Sequence, residues 1–169
     1  TDYVPVPVKG LVNQSYLARR AIQLRTDKAL TKEEVSPGEP AWDHAHLNPA
    51  DDISLELPST SHFSIVDEAG NAVSMTTTIE NGFGSRVMVN GFLLNNELTD
   101  FSFKPHSDGH PIANRVEPGK RPRSSMAPTI VMKNGKPTLV IGSPGGSRII
   151  GYVAKTIIAH LDWGMDIQK

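Results

Sequence analysis

The sequence predicts an α+β fold in which helices cover a sheet of antiparallel strands. Residues 61–67 and 72–78 alternate apolar and polar side chains on either side of a short turn, which is the pattern of a β-hairpin. Residues 12–25 and 147–162 instead carry apolar side chains at the spacing of amphipathic helices. Asn13 is the expected N-cap of the first helix, and Gly164 is expected to cap the second.

A second hairpin is predicted further along the chain. Apolar residues 128–132 and 138–141 flank Asn134-Gly135, a dipeptide typical of the tight turns that join two strands. Residues 86–94 are expected to form one more strand, interrupted by Asn90-Gly91.

Two segments lack convincing periodicity. Residues 27–59 hold four prolines among many polar side chains, and a stretch this long without secondary structure is usually functional or disordered. We interpret it as a linker that leads to a feature at its end. Residues 102–123 are rich in Pro, Gly, His and Arg and are expected to form a surface loop.

Composition excludes several classes of function. The 169 residues include 17 Lys+Arg, 18 Asp+Glu and no Cys, which excludes disulfides, thiolate metal sites and a Cys nucleophile. A near-neutral balance argues against nucleic-acid binding, and no apolar run approaches the roughly 20 residues of a membrane span. The chain begins with Thr-Asp rather than Met, so we expect a piece of a longer protein. Residues 1–59 carry 6 basic against 9 acidic side chains, and residues 60–169 carry 11 against 9.

A hydroxyl residue lies where the linker meets the first strand. If the Ser59–Thr60 bond were cut, Thr60 would carry a free α-amine whose pKa of about 7.7–8.0 suits a general base. Nucleophile and base would then come from one residue. Taken alone, the same residues also fit ordinary loop composition before a strand.

Further polar groups follow along the chain. Thr76 and Thr78 would share one face of a strand, although threonine is also a common strand former. Glu97 and Asp100 can bind an ammonium group, or they can belong to a capped turn. Ser124-Ser125 can donate hydrogen bonds to a carboxylate.

Glycines mark the entry to the second helix. Residues 142–148 can present backbone N–H groups to an oxyanion, or they can form a turn needed only for packing. Residues 120–123 form a short basic cluster that we interpret as solvated. Residues 43–46 and 106–110 contain metal-ligand types without a second cluster, so we expect no metal site and no cofactor.

Together these motifs resemble, in order and spacing, the start of the small subunit of γ-glutamyltranspeptidases. The match is densest over residues 60–150, and a looser one extends back to residues 6–11, which resemble the end of the family's large subunit. The motifs that carry the resemblance are Thr60-Ser61-His62-Phe63-Ser64-Ile65-Val66-Asp67, Gly70-Asn71-Ala72-Val73-Ser74, Leu94-Asn95-Asn96-Glu97, Asp100-Phe101, Pro122 with Ser124-Ser125-Met126, and Gly142-Ser143-Pro144-Gly145-Gly146-Ser147-Arg148.

The resemblance implies an N-terminal nucleophile hydrolase fold, an αββα sandwich that this chain would contain only in part. Residues 1–26 would be the C-terminal helix region of the large subunit, 27–59 a linker ending at the processing site, and 60–169 the first part of the small subunit. The two subunits would form a heterodimer from one precursor. A periplasmic or extracellular location would follow from the family.

The resemblance also implies the chemistry. The precursor would cut itself between Ser59 and Thr60, and Thr60 would form an acyl-enzyme with glutathione or another γ-glutamyl amide. An amino acid, a peptide or water would then accept the acyl group. The implied roles are a hydrogen bond to the nucleophile for Thr78, an oxyanion hole for Gly145 and Gly146, amine binding for Glu97 and Asp100, and carboxylate binding for Ser124 and Ser125.

One position departs from the family pattern. Glu80 stands where well-known members carry a substrate-binding Asn, and its carboxylate should repel an incoming α-carboxylate unless it turns away or pairs. The family's carboxylate-binding Arg would precede Thr1, so the isolated piece is expected to be inactive. Two alternatives therefore stay open: a related cephalosporin or glutaryl acylase, and an inert, unprocessed binding module.

Overall fold

The computed structural model describes residues 4–43, 48–54 and 59–168. His44 and His46 of the weak metal signal and Pro58 beside the expected processing site lie outside these ranges. The chain divides into two compact units. The first unit spans Thr1–Asp51 and His106–Ala113, and the second spans Asp52–Pro105 and Asn114–Lys169.

The helices and strands occur in the following order along the chain: α1 Val8–Leu11, α2 Gln14–Ala21, β1 Ser61–Val66, β2 Ala72–Thr77, β3 Met88–Val89, β4 Phe92–Leu93, β5 His106–Ser107, β6 His110–Pro111, β7 Thr129–Lys133, β8 Lys136–Ile141 and α3 Ile149–Leu161. Short 3-10 turns cover Glu97–Asp100 and Gly146–Arg148. Among the described residues, no helix has the length and apolar character that a membrane crossing requires.

In the first unit, α2 begins where the sequence predicts but ends early. The Asn13 side chain accepts a hydrogen bond from the Tyr16 N–H at 3.0 Å, which is the predicted N-cap. The helix stops at Ala21 rather than at residue 25. Ile22 and Leu24 are 82% and 70% exposed, so no packing supports another turn.

The expected loop 102–123 contains more structure than the sequence suggests. Strands β5 and β6 form a small hairpin within the first unit. The Ala50 N–H donates to the Pro111 carbonyl at 2.9 Å, and Ala50 forms a parallel bridge with Ile112. In the described part of 27–59 this bridge is the only strand-like pairing.

In the second unit, the two predicted hairpins are present. Strands β1 and β2 pair antiparallel from Ser61↔Thr77 to Val66↔Ala72. Strands β7 and β8 pair around Asn134-Gly135, and both turn residues have positive φ, at 52° and 76°.

The hairpins contact each other through hydroxyl groups. The Ser64 hydroxyl donates to the Val140 carbonyl at 3.1 Å, and the Ser74 hydroxyl donates to the Ile141 carbonyl at 2.9 Å. No strand of one hairpin pairs with a strand of the other among the described residues. The described strands form separate two-stranded sheets instead of the single sheet that the sequence suggests.

Residues 86–94 correct another expectation. The chain reverses at Asn90-Gly91, where both residues have positive φ, and β3 pairs with β4. The interruption is therefore a hairpin turn and not a break in one strand.

Helix α3 confirms the predicted amphipathic segment. Ile149 and Val153 are 1% and 4% exposed, and they form the core of the second unit with the buried Phe101 and Leu139. The helix ends at Leu161, and Gly164, with φ of 67°, turns the chain two residues beyond the C-cap position. Because the buried Ile149 is the first residue of α3, this core holds the glycine-rich turn that directly precedes the helix.

Candidate active site

Thr60 is held in a strained conformation at the start of β1. Its φ is 95°, in the left-handed region that residues with a Cβ rarely adopt. Such strain costs of order 1–3 kcal/mol and persists where surrounding contacts impose it. Ser61 immediately begins the strand, so the strained residue joins a rigid element to the linker.

One contact joins the linker to the glycine-rich turn. The Gly145 N–H donates to the Ser59 carbonyl at 3.2 Å. Gly145 and Gly146 have φ of 131° and 57°, and the 3-10 turn and α3 follow directly. An N–H aimed at a carbonyl oxygen stabilises negative charge that develops on that oxygen. The carbonyl of the Ser59–Thr60 bond therefore already has an oxyanion donor.

A pocket of about 60 Å³ in the second unit brings the predicted residues together. Of the residues to which the family resemblance gives a role in the site, only Gly145 does not line the pocket. The Gly145 N–H donates to the carbonyl of Ser59, which does line it. The lining residues are Ser59, Thr60, Thr78, Glu80, Glu97, Asp100, Arg123, Ser124, Ser125, Met126, Gly146, Ser147 and Ile149.

One wall of the pocket is acidic. Burial raises the pKa of Glu97, and the nearby carboxylates of Asp100 and Glu80 raise it further. Burial and the charge of Glu80 likewise raise the pKa of Asp100, against the opposing effect of a hydrogen bond with Glu97. The Glu97 Oε1 atom is buried and has no hydrogen-bond partner within the described residues. An ammonium group would satisfy that oxygen and offset the mutual repulsion.

Glu80 is held in place by hydrogen bonds with neutral groups, which leave the charge of its carboxylate uncompensated. Its Oε2 atom accepts a hydrogen bond from the Asn96 Nδ2 atom at 2.6 Å. Its N–H donates to the Thr78 Oγ1 atom at 2.8 Å. The backbone N–H of Glu80 therefore contacts the Thr78 hydroxyl, and its carboxylate contacts the Asn96 side chain.

Thr78 and Thr76 do not act as the matched pair that strand alternation suggests. Strand β2 ends at Thr77, so Thr78 lies in the following loop. The Thr76 hydroxyl instead contacts the Nδ1 atom of His62 at 2.8 Å. His62 lies against Gly142, where an added Cβ would come within 2.2 Å of its ring, so the start of the glycine-rich turn requires glycine.

Arg123 corrects the interpretation of residues 120–123 as a solvated cluster. Arg123 lines the pocket next to Ser124, and its Nη1 atom lies 3.7 Å from the Asp52 Oδ2 atom. Lys120 forms an ion pair with Glu117 and its side chain is 9% exposed. The guanidinium group in the described pocket lining therefore comes from a segment that the sequence analysis assigns to solvent.

Asp52 anchors this side of the pocket. Partial burial would raise its pKa, but hydrogen bonds from Ser54 and Asn114 and the charge of Arg123 outweigh that effect and lower the pKa to about 2. Asn114 also donates to the Asp100 carbonyl at 2.6 Å. Asp52 thus connects the linker to both the basic and the acidic wall, a role that no local pattern in the sequence indicates.

We expect Asp52→Asn to destabilise the full-length protein by about 1–2 kcal/mol at neutral pH. The depressed pKa contributes stability that is fully present above 3.8, the unfolded value, and is lost as pH falls toward about 2. Urea denaturation at about pH 7 and about pH 2.5 should therefore show a difference between wild type and variant that shrinks in acid. Asp51→Asn, an exposed neighbour, is the control. An equal loss at both pH values would contradict the assignment.

Metal ligation has no support in the part of the chain that the structure describes. No group of three or more His, Asp or Glu side chains there is arranged to hold a metal ion.

A threonine directly before a β-strand, with a backbone amide that donates to the carbonyl of the residue preceding the threonine, is the arrangement of N-terminal nucleophile hydrolases. A family model described as gamma-glutamyltranspeptidase matches residues 1–169, and the chain belongs to the γ-glutamyltranspeptidase family.

Curated relatives support the same assignment. The chain is 42% identical over 175 residues to the glutathione hydrolase proenzyme of Bacillus subtilis strain 168, and 41% identical over 178 residues to that of Escherichia coli K12. Each match covers 99% of this chain and 28% of the relative. The chain therefore spans less than a third of the length of these proteins.

Solved structures agree with the fold. A mutant of the Helicobacter pylori gamma-glutamyltranspeptidase is similar with a TM-score of 0.54 and 51% identity, covering 64% of this chain and 62% of that one. The Pseudomonas nitroreducens gamma-glutamyltranspeptidase complexed with L-DON gives a TM-score of 0.56 and 48% identity, covering 64% and 60%.

Proposed function

We propose that the full-length protein is a γ-glutamyl transferase and hydrolase that acts on glutathione and related γ-glutamyl amides through Thr60. The observation that carries the proposal is the hydrogen bond from the Gly145 N–H to the Ser59 carbonyl, next to a strained Thr60. The names of the curated relatives, glutathione hydrolase proenzymes, support both the substrate and the processing of a precursor.

The first reaction is self-cleavage. The Thr60 Oγ1 atom attacks the Ser59 carbonyl carbon, and the oxyanion that forms accepts the Gly145 N–H. The C–N bond then breaks as the Thr60 nitrogen takes up the proton that the attacking hydroxyl has lost, which leaves Ser59 joined to Thr60 through an ester. Water hydrolyses this ester to give a Ser59 carboxylate and a Thr60 with a free α-amine. Breaking the bond also relieves the strain at Thr60.

The second reaction is transfer. The Thr60 amine accepts the hydroxyl proton while Oγ1 attacks the donor's γ-carboxamide, and the amine of the leaving group departs with a proton. Gly145 and Gly146 supply the oxyanion donors. Thr78 hydrogen-bonds the nucleophile. The acyl ester then passes to water or to the amine of an amino acid or peptide.

The two walls of the pocket account for selection of a γ-glutamyl group. Glu97 and Asp100 bind the donor's α-ammonium, and the unpartnered Glu97 Oε1 atom supports this role. Ser124 and Ser125 bind the α-carboxylate, with Arg123 beside them. Fixing both ends of the amino acid leaves its side-chain amide, and not a backbone amide, at Thr60. Glu80, which accepts a hydrogen bond from Asn96, adds to the negative potential that the ammonium group meets.

The proposal includes the arrangement of the precursor. Residues 1–59 form the end of the large subunit, and residues 60–169 form the beginning of the small subunit of a heterodimer with an αββα sandwich. The exposed apolar face of the β1–β2 hairpin, where Phe63 and Ile65 are 40% and 55% exposed, supports a further layer in the full-length protein. We also propose a periplasmic or extracellular location.

A donor comparison tests the substrate. The full-length enzyme should turn over glutathione far faster than a glutaryl amide of the same leaving group, because the glutaryl group lacks the α-ammonium. Without that cation, the charges of Glu97, Asp100 and Glu80 remain uncompensated. Equal or faster turnover of the glutaryl amide would replace this proposal with a cephalosporin or glutaryl acylase.

We expect Glu97→Gln to stabilise the fold while weakening donor binding. A carboxyl group with a raised pKa destabilises the fold above that pKa, and the penalty disappears as pH falls toward the unfolded value of 4.5. At neutral pH the variant should unfold at higher urea concentration than wild type, and the difference should vanish near pH 4. The KM for glutathione should rise by about tenfold to a hundredfold, the value of a charge-assisted hydrogen bond.

Glu68→Gln in the exposed β1–β2 turn is the control, and it should change neither quantity. Two outcomes would contradict the role of Glu97 as a ligand of the donor's ammonium group that carries an electrostatic penalty in the free enzyme. They are a Glu97→Gln variant that is less stable than wild type at neutral pH, and one whose KM for glutathione is unchanged.

A further inference from the structure

Asn96 contacts each of the three residues that follow Thr78. Its N–H donates to the Ile79 carbonyl at 3.3 Å, and its Nδ2 atom donates to the Glu80 Oε2 atom at 2.6 Å. Its Oδ1 atom accepts the Asn81 N–H at 3.0 Å. These partners fix the orientation of the amide, because a backbone N–H can only donate and must face the oxygen. The backbone of Asn96 therefore holds the residue before Glu80, and its side chain holds Glu80 itself and the residue after it.

Glu80 needs such support. Its φ is 69°, in the left-handed region, where a residue with a Cβ pays of order 1–2 kcal/mol. Strained residues of this kind persist only where neighbouring contacts over-determine them. The contacts from Asn96 to residues 79, 80 and 81 supply that restraint.

The conformation of Glu80 determines what the Thr78 hydroxyl can do. In a turn whose two ends are held, a reversal of the sign of φ at Glu80 goes with a flip of the peptide between Ile79 and Glu80. In the present orientation, with φ positive, the N–H of that peptide donates to the Thr78 Oγ1 atom at 2.8 Å and occupies one of its lone pairs. A hydroxyl has one proton to donate, and here that proton is directed away from the Glu80 N–H. Thr60 lines the same pocket as Thr78. The loop therefore orients Thr78 as a hydrogen-bond donor beside the nucleophile.

We propose that Asn96 is a positioning residue that holds Glu80 in its left-handed conformation and thereby orients the Thr78 hydroxyl toward Thr60. This inference rests on the proposed function of Thr60. It adds Asn96 as a residue that affects kcat indirectly, through Glu80 and Thr78. Asn96 contacts neither the nucleophile nor the donor. Its replacement should therefore change the affinity for the donor little, because Glu97 and Asp100 still bind the donor's ammonium group.

Glycine at position 80 offers a direct test, because glycine adopts positive φ without the cost that other residues carry. In the full-length, processed enzyme with glutathione as donor, Asn96→Ala should lower kcat by about tenfold. Glu80→Gly should raise KM, since a carboxylate is lost from the acidic wall. Its measured kcat is the reference value for the double variant. Adding Asn96→Ala to Glu80→Gly should then change kcat by no more than about threefold, because the loop no longer needs the restraint.

Thr99→Val is the matched control. The Asn96 Nδ2 atom also donates to the Thr99 Oγ1 atom at 2.8 Å, so this variant removes a contact of Asn96 without touching residues 79–81. It should leave kcat near the wild-type value.

The decisive comparison is between Glu80→Gly and Glu80→Gly with Asn96→Ala, and it stands even if Asn96→Ala alone fails to fold. A tenfold loss of kcat in the double variant relative to Glu80→Gly would overturn the proposal, as would an unchanged kcat in a folded Asn96→Ala. If the wild type is active and either of these two results is found, only the role of Asn96 is refuted, and the proposed function stands. A wild type that neither cleaves itself nor transfers would instead refute the proposed function.

Discussion

Thr60→Ala should abolish both self-cleavage and γ-glutamyl transfer in the full-length protein. Alanine has no hydroxyl, so neither the ester with Ser59 nor the acyl-enzyme can form. Mass spectrometry should detect only the intact precursor after prolonged incubation, while wild type should yield a new chain that begins at Thr60. Turnover of glutathione should fall to the uncatalysed background, a loss of at least about 10⁴-fold.

Two further variants make this result specific. Thr60→Ser keeps a hydroxyl and should cleave itself, at a lower rate. Thr77→Ala, on the neighbouring strand and exposed, should behave like wild type. Residual cleavage between Ser59 and Thr60 in Thr60→Ala would refute the autocatalytic mechanism. An intact wild-type precursor would favour the inert binding module that the sequence leaves open.

Gly145→Ala should slow self-cleavage by about a hundredfold or more, the effect of removing one oxyanion donor. Gly145 has φ of 131°, and an added Cβ would lie 3.0 Å from the Tyr152 Cε2 atom. Either the ring or the turn must move, and movement of the turn carries the Gly145 N–H away from the Ser59 carbonyl. The rate at which the new Thr60 terminus appears, followed by mass spectrometry from freshly folded precursor, measures the effect.

Gly135→Ala separates backbone strain from loss of the donor. Gly135 also has positive φ, at 76°, but an added Cβ there meets nothing within 4 Å. This variant should lose about 1 kcal/mol of stability and process at the wild-type rate. Equal processing rates in Gly145→Ala and Gly135→Ala would show that the Gly145 amide takes no part in cleavage.

Local patterns predict the elements whose side chains or turns have one strong preference. The β1–β2 and β7–β8 hairpins follow from alternation and from Asn134-Gly135, and α3 follows from its apolar spacing. The β3–β4 hairpin was expected as one interrupted strand, because two residues on each side give too little pattern to show a reversal. The early end of α2 depends on missing tertiary packing, which no local pattern records.

The site divides in the same way. Thr60, Gly145 and the two serines lie in motifs that are recognisable along the chain, and the pocket brings all but one of the predicted residues to its lining. Arg123, Asp52 and Asn114 act through contacts between residues far apart in sequence, so their own neighbours give no signal. Asn96 lies inside a recognised motif, yet its contacts to residues 79–81 emerge only in the folded chain.

The hydrogen bond between Gly145 and Ser59 gives the proposed precursor a built-in sequence of events. A single N–H cannot serve two carbonyls at once, so the uncleaved chain competes with every donor for the same amide. An internal carbonyl held in place has an effective concentration of order 10⁵ M or more, which no free donor reaches. Each molecule must therefore complete one reaction on itself before it can begin the first on anything else.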